Sequence, residues 1–156
     1  KDACMSRQGL PDYLVTMRKP GTNADPVANT NETYPVMEWQ QYASPVWGCI
    51  GPKRDDGFVE VTEDIHPGDT LQYRSARDHD DERHICPLQL EVIRRGVRLW
   101  SNPGDTVLSP FAGIGSEGHV ALQLDRRFVG IELKESYYRQ ACRNLIAATA
   151  EQSLFV

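Results

Sequence analysis

The chain has 156 residues and a formal net charge of −5, with 40% hydrophobic and 25% charged residues. That length is enough for one domain with its own core. No run of about 18 apolar residues predicts a membrane span, and no secretory signal is expected from the first residues. The acidic balance argues against bulk electrostatic binding to nucleic acid, although a local basic patch can survive it.

The four cysteines lie far apart and form no C-x-x-C pair. This spacing favours a reduced, cytoplasmic chain over a disulfide-stapled one. The four histidines form no H-x-x-x-H pair and do not cluster with the cysteines. We therefore expect no metal site and no membrane partner, and the sequence leaves the oligomeric state open.

The first part of the chain, residues 1–83, is acidic and rich in predicted loop. It holds fifteen Asp and Glu residues against nine Lys and Arg, whereas residues 84–156 hold seven against eight. Its seven prolines each remove a backbone donor and fix φ, which disfavours long regular elements. β-branched and aromatic residues predict one strand at 12–18 and a second at 57–62. The remainder, including 21–32, is predicted to be loop.

Residues 84–156 show the periodicity that the first part lacks. The first predicted helix carries an apolar stripe at helical spacing, formed by Leu90, Ile93, Val97 and Trp100. Three arginines lie off that stripe, namely Arg94, Arg95 and Arg98.

The predicted elements that follow alternate between strand and helix. A short buried strand at 106–108 leads through a loop at 109–115 into a helix through Val120, Ala121 and Leu124. A strand at 128–132 then precedes a final helix, with Ser136 as its N-cap, that runs through Tyr138, Ala141, Leu145 and Ala148. This order indicates a parallel α/β sheet with right-handed crossovers.

A glycine-rich loop follows the first of these strands and opens the next helix, because residues 113–118 read G-I-G-S-E-G. Glycines there let the backbone approach a ligand where a Cβ would clash. Glu132 ends the next strand, where a carboxylate can accept hydrogen bonds from both hydroxyls of a ribose. The arrangement predicts an adenosine-type ligand, either a dinucleotide such as NAD or S-adenosylmethionine. The alternative is a tight turn beside a surface carboxylate.

The residues around the loop separate these two cofactor classes. Residues 108–116, L-S-P-F-A-G-I-G-S, resemble the D-P-F-x-G-x-G-T/S loop of amino-directed, S-adenosylmethionine-dependent DNA methyltransferases. Three further segments are similar to that family: H-I-C-P-L-Q-L at 84–90, S-N-P-G-D-T-V at 101–107 and R-R-F-V-G-I-E at 126–132. The final helix continues the agreement at Tyr137, Tyr138, Ala141 and Arg143. The resemblance covers residues 84–156 without a gap.

The resemblance implies a partial Rossmann-like methyltransferase fold, of the α/β class with parallel strands, preceded by a loop-rich target-recognition segment. In phage and prophage methylases of this type the order is catalytic half, target-recognition segment, cofactor half. Residues 12–20, which contain an R-K pair at 18–19, resemble the late strand of the catalytic half, so residues 1–20 correspond to its tail. Residues 21–83 then correspond to target recognition and 84–156 to the cofactor portion.

The resemblance also implies which residues contact S-adenosylmethionine: His84, Pro87, Ser109, Pro110, Phe111, Gly113, Gly115, Ser116 and Glu132. Phe111 is expected to pack against the cofactor and Glu132 to bind its ribose. His84 has a second interpretation, as a cap of the helix that follows it. Ser109 departs from the family, which usually has Asp there, and a serine would give a weaker, neutral contact to the methionine ammonium.

Catalysis in the family requires a [D/N/S]-P-P-[Y/F/W] tetrapeptide, and this sequence contains none. The nearest match is S-P-V-W at 44–47, which makes Ser44, Pro45 and Trp47 weak catalytic candidates. We favour the other interpretation, an aromatic-anchored loop of the target-recognition segment, since the tetrapeptide precedes the R-K strand in this family. The catalytic loop is therefore expected to precede Lys1, in a missing N-terminal half, and the chain alone is expected to be inactive.

The implied function is site-specific methylation of an exocyclic amine of adenine or cytosine in double-stranded DNA. Phosphate contacts are predicted from four basic residues of the first part: Arg18, Lys19, Lys53 and Arg54. Two other functions compete with this one. The chain could be a non-catalytic prophage remnant or DNA-binding module, or, less favoured, a NAD-dependent oxidoreductase.

Overall fold

The computed structural model of the protein describes residues 13–47, 49–53, 59–62, 65–66, 68–72, 76 and 87–153. The elements in these ranges, in chain order, are α1 (Val36–Tyr42), β1 (Cys49–Lys53), β2 (Val59–Thr62), α2 (Leu90–Trp100), β3 (Thr106–Ser109), α3 (Ser116–Gln123), β4 (Arg127–Gly130) and α4 (Glu135–Ser153). None of these helices is long and apolar enough to cross a membrane. The same residues contain no group of three or more His, Cys, Asp or Glu side chains placed to hold a metal ion.

The second part of the chain forms a parallel strand pair covered by helices. β3 and β4 pair in parallel from Thr106↔Arg127 to Ser109↔Gly130. The crossover between them is α3, which packs against α2, α4 and both strands. The core beneath them consists of Ile93, Val97 and Val120, with Leu90, Val107 and Leu124 packed against it. The predicted parallel α/β arrangement is confirmed.

Side chains of this strand pair alternate between a covered and an open face, as the pleat requires. Phe128 reaches under α3, where it closely approaches Gly118, and Val107 packs against the helical core. On the other face Leu108 and Val129 are 61% and 50% exposed. The prediction that 106–108 is a buried strand is therefore wrong for one of its two faces.

The N-cap predicted for the last helix is also wrong. α4 begins at Glu135, so Ser136 is its second residue rather than its cap. The Ser136 hydroxyl is buried and has no hydrogen-bond partner among the described residues. The Lys134 carbonyl already accepts the Tyr138 N–H, and Glu132 accepts the Lys134 N–H, so the first turn begins two residues earlier than predicted.

The strand predicted at 12–18 is not formed by residues 13–19, which have no regular secondary structure. A strand needs a neighbouring strand to satisfy its N–H and C=O groups, and no described strand pairs with this segment. Its Tyr13 and Met17 side chains are 85% and 92% exposed. The second predicted strand, 57–62, is confirmed over Val59–Thr62, and it pairs antiparallel with an unpredicted strand, β1.

Two arginines of α2 attach residues 13–47, which we call the α1 region, to the second part of the chain. Arg95, predicted to lie off the apolar stripe, is only 1% exposed, because the 36–47 segment covers it. Its guanidinium carbon lies 4.9 Å from the Tyr42 ring centroid and 5.3 Å from that of Trp47. Its Nε lies 3.0 Å from Glu91 Oε1. Burial, together with the charges of Glu91 and Glu38, raises the pKa of Tyr42 to about 12.

Arg98 makes a second contact of the same kind. Its guanidinium carbon lies 4.5 Å from the Tyr34 ring centroid, and its Nη2 donates to the Thr33 carbonyl at 3.1 Å. It also forms an ion pair with Glu38 of α1. Stacked, charge-assisted contacts of this type suit the planar guanidinium group. The α1 region is thus held largely through side chains of one helix.

Candidate functional site

The ends of the two parallel strands lie side by side, and their pairing continues into the segments that follow. The Ile131 N–H donates to the Ser109 carbonyl at 2.9 Å, and the Ala112 N–H donates to the Ile131 carbonyl at 2.9 Å. The loop after β3 and the residues after β4 therefore meet at the carboxyl edge of the sheet. Ligands of open α/β sheets bind at this edge.

Two glycines of the loop have positive φ, for different reasons. Gly115, at φ +83°, donates its N–H to the Ala112 carbonyl at 2.7 Å, and a Cβ there would lie 3.1 Å from Ala141 Cβ of α4. Gly113, at φ +54°, has no heavy atom within 4 Å of the position a Cβ would take. Gly115 therefore lets the loop pack on α4, whereas Gly113 leaves bare backbone beside open space.

The third glycine of the motif serves packing rather than ligand approach. A Cβ on Gly118 would lie 2.5 Å from Phe128 Cδ1 and 2.6 Å from Leu145 Cδ2. Such distances leave no room for a side chain, so Gly118 sets how closely α3 approaches β4 and α4.

Glu132 lies half-buried at the same edge and contacts the loop directly. Its Oε2 accepts the Gly113 N–H at 2.8 Å, and its Oε1 accepts the Lys134 N–H at 2.8 Å. An ionised carboxylate offers about four lone-pair sites, so each oxygen keeps capacity for one more donor. The geometry is that of a group able to accept two hydroxyls while it orients the glycine loop.

The other residues predicted to contact the cofactor lie along the same loop. Ser109 and Ser116 are buried, at 7% and 5% exposure, whereas Phe111 is 87% exposed. Pro110 is exposed as well. The structure therefore brings these four residues to one edge with Glu132, and Phe111 presents an apolar ring beside it. Their individual roles stay predictions.

The start of α2 has a cap that sequence reasoning missed. Asp69 accepts the Leu90 N–H through its carbonyl oxygen at 2.8 Å and the Glu91 N–H through Oδ2 at 3.0 Å. A carboxylate at a helix N-terminus satisfies N–H groups that have no intrahelical partner. Pro87 lies half-buried just before this helix. His84 lies outside the described residues, so neither of its predicted roles is tested.

The S-P-V-W segment is occupied with internal contacts. The Ser44 hydroxyl donates to the Val46 carbonyl at 2.9 Å, and Trp47 Nε1 donates to the Tyr42 carbonyl at 2.8 Å. Pro45 is exposed. The Trp47 ring also packs against Arg95 of α2, which holds the S-P-V-W segment against that helix. These contacts are those expected of an aromatic-anchored loop.

The predicted phosphate contacts lie in the first part of the chain. Arg18 and Lys19 are exposed and line a groove of about 900 Å³ between residues 14–23 and Trp100. Arg18 Nη2 donates to the Gly21 carbonyl at 3.0 Å. Lys53 is the last residue of β1, and Arg54 lies outside the described residues.

The carboxyl group of Glu117, just after the loop, has a shifted pKa. Glu117 lies in the first turn of α3, and burial raises the pKa of its carboxyl group above the ordinary value, while a backbone hydrogen bond partly opposes this. The charged form of Glu117 is therefore disfavoured in the folded chain.

The site combines a parallel strand pair, a glycine loop with exposed backbone and a carboxylate that accepts a loop N–H. This combination is typical of an α/β unit that binds a nucleoside-containing cofactor. A family model described as DNA methylase, of the N6/N4 type, matches residues 12–143. The match covers most of the sequence, and the chain belongs to this DNA methylase family. The family is one of methyltransferases, so the predicted class is confirmed and the NAD-dependent oxidoreductase alternative is wrong.

Individual relatives agree with the family. The chain is 36% identical over 85 residues to DNA adenine methyltransferase YhdJ of Escherichia coli K12, a match that covers 53% of this chain and 29% of YhdJ. It is 35% identical over 92 residues to the type II methyltransferase M.BglII of Bacillus subtilis, covering 58% of this chain and 26% of that protein. The matched part of the chain thus spans less than a third of the length of these relatives.

A solved structure has a similar fold. TTHA0409 of Thermus thermophilus, whose name calls it a putative DNA modification methylase, was crystallised with S-adenosyl-L-methionine. It superposes with a TM-score of 0.55 at 25% identity, over 85% of this chain and 41% of that one. The likeness supports the methyltransferase fold for the greater part of the sequence.

Proposed function

We propose that this chain supplies the S-adenosylmethionine-binding and target-recognition portions of a DNA methyltransferase acting on an exocyclic amine of adenine or cytosine. The observation that carries the proposal is the contact between the Glu132 carboxylate and the Gly113 N–H at the carboxyl edge of β3 and β4. The match to the DNA methylase family supports the choice of cofactor and substrate.

The residues at the edge fit S-adenosylmethionine. Glu132 has lone pairs for the two ribose hydroxyls, the open space beside Gly113 lets the cofactor lie against backbone, and the exposed Phe111 ring offers it an apolar surface. The neutral Ser109 hydroxyl would contact the methionine ammonium more weakly than a carboxylate would.

When bound, S-adenosylmethionine supplies an activated methyl group for in-line transfer to a nitrogen nucleophile. The contribution of this chain is positional. Glu132 fixes the sugar end of the cofactor and Gly113 lets the loop lie against it, while Phe111 excludes water from one side. Holding the methyl donor in one orientation lowers the entropic part of the barrier.

The catalytic tetrapeptide is proposed to belong to a further region that packs on the open face of the strand pair. Parallel strands are almost always covered on both faces, yet Leu108, Val129 and Ile131 are 61%, 50% and 53% exposed. A catalytic half covering this face would bury these side chains and bring its loop to the cofactor edge. The relatives, more than three times the matched length, have room for such a half.

Double-stranded DNA is the proposed macromolecular partner. Arg18 and Lys19 would contact backbone phosphates from the groove that they line, with Lys53 and Arg54 as further contacts. A cytoplasmic location and a prophage origin stay predictions.

Calorimetric titration with S-adenosylhomocysteine tests the proposed cofactor site. We expect the wild-type chain to bind, and Glu132→Gln to bind about 10-fold to 100-fold more weakly, because a charged acceptor is lost. The matched control is Glu135→Gln, three residues further on, where an exposed carboxylate pairs with Arg139 on the helix surface. Equal affinities of all three proteins, or no binding by the wild type, would contradict the proposal.

A second assay tests the placement of the catalytic loop. With radiolabelled S-adenosylmethionine and unmethylated duplex DNA, we expect no methyl transfer by the purified 156-residue chain. Methyl transfer by this chain would overturn the assignment of the tetrapeptide to another region. Duplex binding without cofactor binding would favour a DNA-binding module instead.

A further inference from the structure

A polar network links the last helix, α4, to the middle of the glycine loop. The Asn144 side-chain amide donates to the Ile114 carbonyl at 2.8 Å, and Gln140 Nε2 donates to Asn144 Oδ1 at 2.9 Å. Arg143 Nη1 lies 3.5 Å from Gln140 Oε1. Ile114 and Gln140 are 4% and 8% exposed, whereas Asn144 is half-buried and Arg143 is exposed, so the network runs from the buried loop to the surface of α4.

The two ends of the network fix the direction of each hydrogen bond. A backbone carbonyl can only accept, and a guanidinium group can only donate. The Asn144 and Gln140 amides are therefore both oriented with nitrogen toward the loop and oxygen toward Arg143. A side-chain network whose hydrogen bonds are satisfied in one arrangement favours that arrangement.

The carbonyl that Asn144 holds belongs to the peptide unit between Ile114 and Gly115. This unit is trans, so its carbonyl and its N–H point in opposite directions, and the Gly115 N–H donates to the Ala112 carbonyl at 2.7 Å. A peptide next to glycine can rotate at low cost because glycine accepts both signs of φ. The donor on the Ile114 carbonyl selects the orientation in which Gly115 has φ +83°.

We propose that Asn144 is a positioning residue for cofactor binding. By holding the Ile114 carbonyl, it keeps the loop in the conformation that presents the Gly113 backbone and Glu132 to S-adenosylmethionine. Asn144 acts through the loop and not by touching the cofactor. The inference rests on the proposed function. It means that the affinity for S-adenosylmethionine depends on a side chain of α4 as well as on the residues of the loop.

The substitution Asn144→Asp tests the donor with almost no change of shape. At neutral pH its carboxylate repels the Ile114 carbonyl, and we expect calorimetry to give an S-adenosylhomocysteine affinity about 10-fold below wild type. At mildly acidic pH a protonated aspartate regains an O–H donor, so the ratio of variant to wild-type affinity should recover. Asn144→Ala has no donor at either pH and should stay weak at both.

Thr149→Asp is the control, because it adds the same charge to α4 at an exposed position, and its affinity should match wild type. Amide hydrogen exchange without ligand should be faster at Gly115 in Asn144→Asp than in Thr149→Asp. Unchanged affinity, an affinity loss independent of pH, or unchanged exchange would each overturn the inference while wild-type binding upholds the proposed function. Absence of wild-type binding would remove both.

Discussion

Two of the regions that the structure describes, residues 13–47 and 87–153, are stabilised in different ways. Residues 87–153 combine a parallel strand ladder with an apolar core in which Val120 is fully buried. Residues 13–47 contribute one short helix, α1, and are held to α2 by the stacked guanidinium groups of Arg95 and Arg98. Asn102 adds hydrogen bonds to the backbone of Pro26 and Ala28.

This difference means that the two regions should respond differently when single contacts are removed. Burial of apolar surface is spread over many side chains, so the cofactor edge rests on the cooperative part of the chain. The α1 region depends on a few directional contacts and should detach when one of them is removed. Substitutions on α3, within the core, and on α2, where the α1 region is attached, can therefore test the two regions separately.

The largest loss of stability is expected at Gly118, the glycine of the motif that packs against β4 and α4. Gly118→Ala places a methyl group 2.5 Å from Phe128 Cδ1, and we expect a loss of about 3 kcal/mol in the free energy of unfolding from overpacking. Gly96→Ala is the matched helical control, since its Cβ would lie 3.4 Å from the Trp100 ring, an ordinary contact. Urea denaturation of both variants measures the contrast, and equal stabilities would contradict the packing role of Gly118.

An intermediate effect is expected where the two regions meet. Arg95→Met keeps much of the side-chain volume but removes the charge stacked on Tyr42 and Trp47, at a cost of about 1–2 kcal/mol. Hydrogen exchange should accelerate in α1 and stay unchanged in α3 and α4.

The control for Arg95→Met is Arg139→Met, which removes an exposed ion pair with Glu135 and should change neither region. Equal acceleration of exchange throughout Arg95→Met would show that the two regions unfold as one. Unchanged exchange in α1 would show that Arg95 does not attach it.

The smallest effect concerns Glu117, the half-buried acid of α3. Because the pKa of Glu117 is raised in the folded chain, the folded state binds its proton more tightly, and the associated stability is lost as pH rises through that range. Glu117→Gln should therefore be more stable than wild type at neutral pH, by about 0.5 kcal/mol. The gain should vanish below the ordinary pKa of glutamate. Thermal unfolding across pH checks this, and a gain that persists in acid would contradict it.

The sequence was informative where the local pattern and the tertiary packing coincide. The apolar stripe of α2 and the order of the elements from β3 to α4 follow from periodicity, and the position of Glu132 at the carboxyl edge follows from strand order. The hydrogen bond from the Gly113 N–H to Glu132 was not predicted. α1 was missed because it has seven residues, of which only Tyr42 is buried, too few for a periodic signal.

The remaining errors depend on residues distant in the sequence. Arg95 fits a surface position until the 36–47 segment covers it, and the cap of α2 comes from Asp69, 22 residues before Glu91. The composition of 13–19 is that of a strand, yet composition cannot supply the neighbouring strand that pairing requires. Tertiary context decides each of these cases.

The central claim is that residues 87–153 hold a preformed cofactor edge, independent of the α1 region. Amide resonances followed by NMR while S-adenosylhomocysteine is added to the whole chain test it most directly. We predict saturable shifts at Gly113 and Gly115, with no shift in α1, and the same result in Arg95→Met. Resonances of Gly113 and Gly115 that do not move at saturating ligand, or that move only when α1 is attached, would contradict the claim.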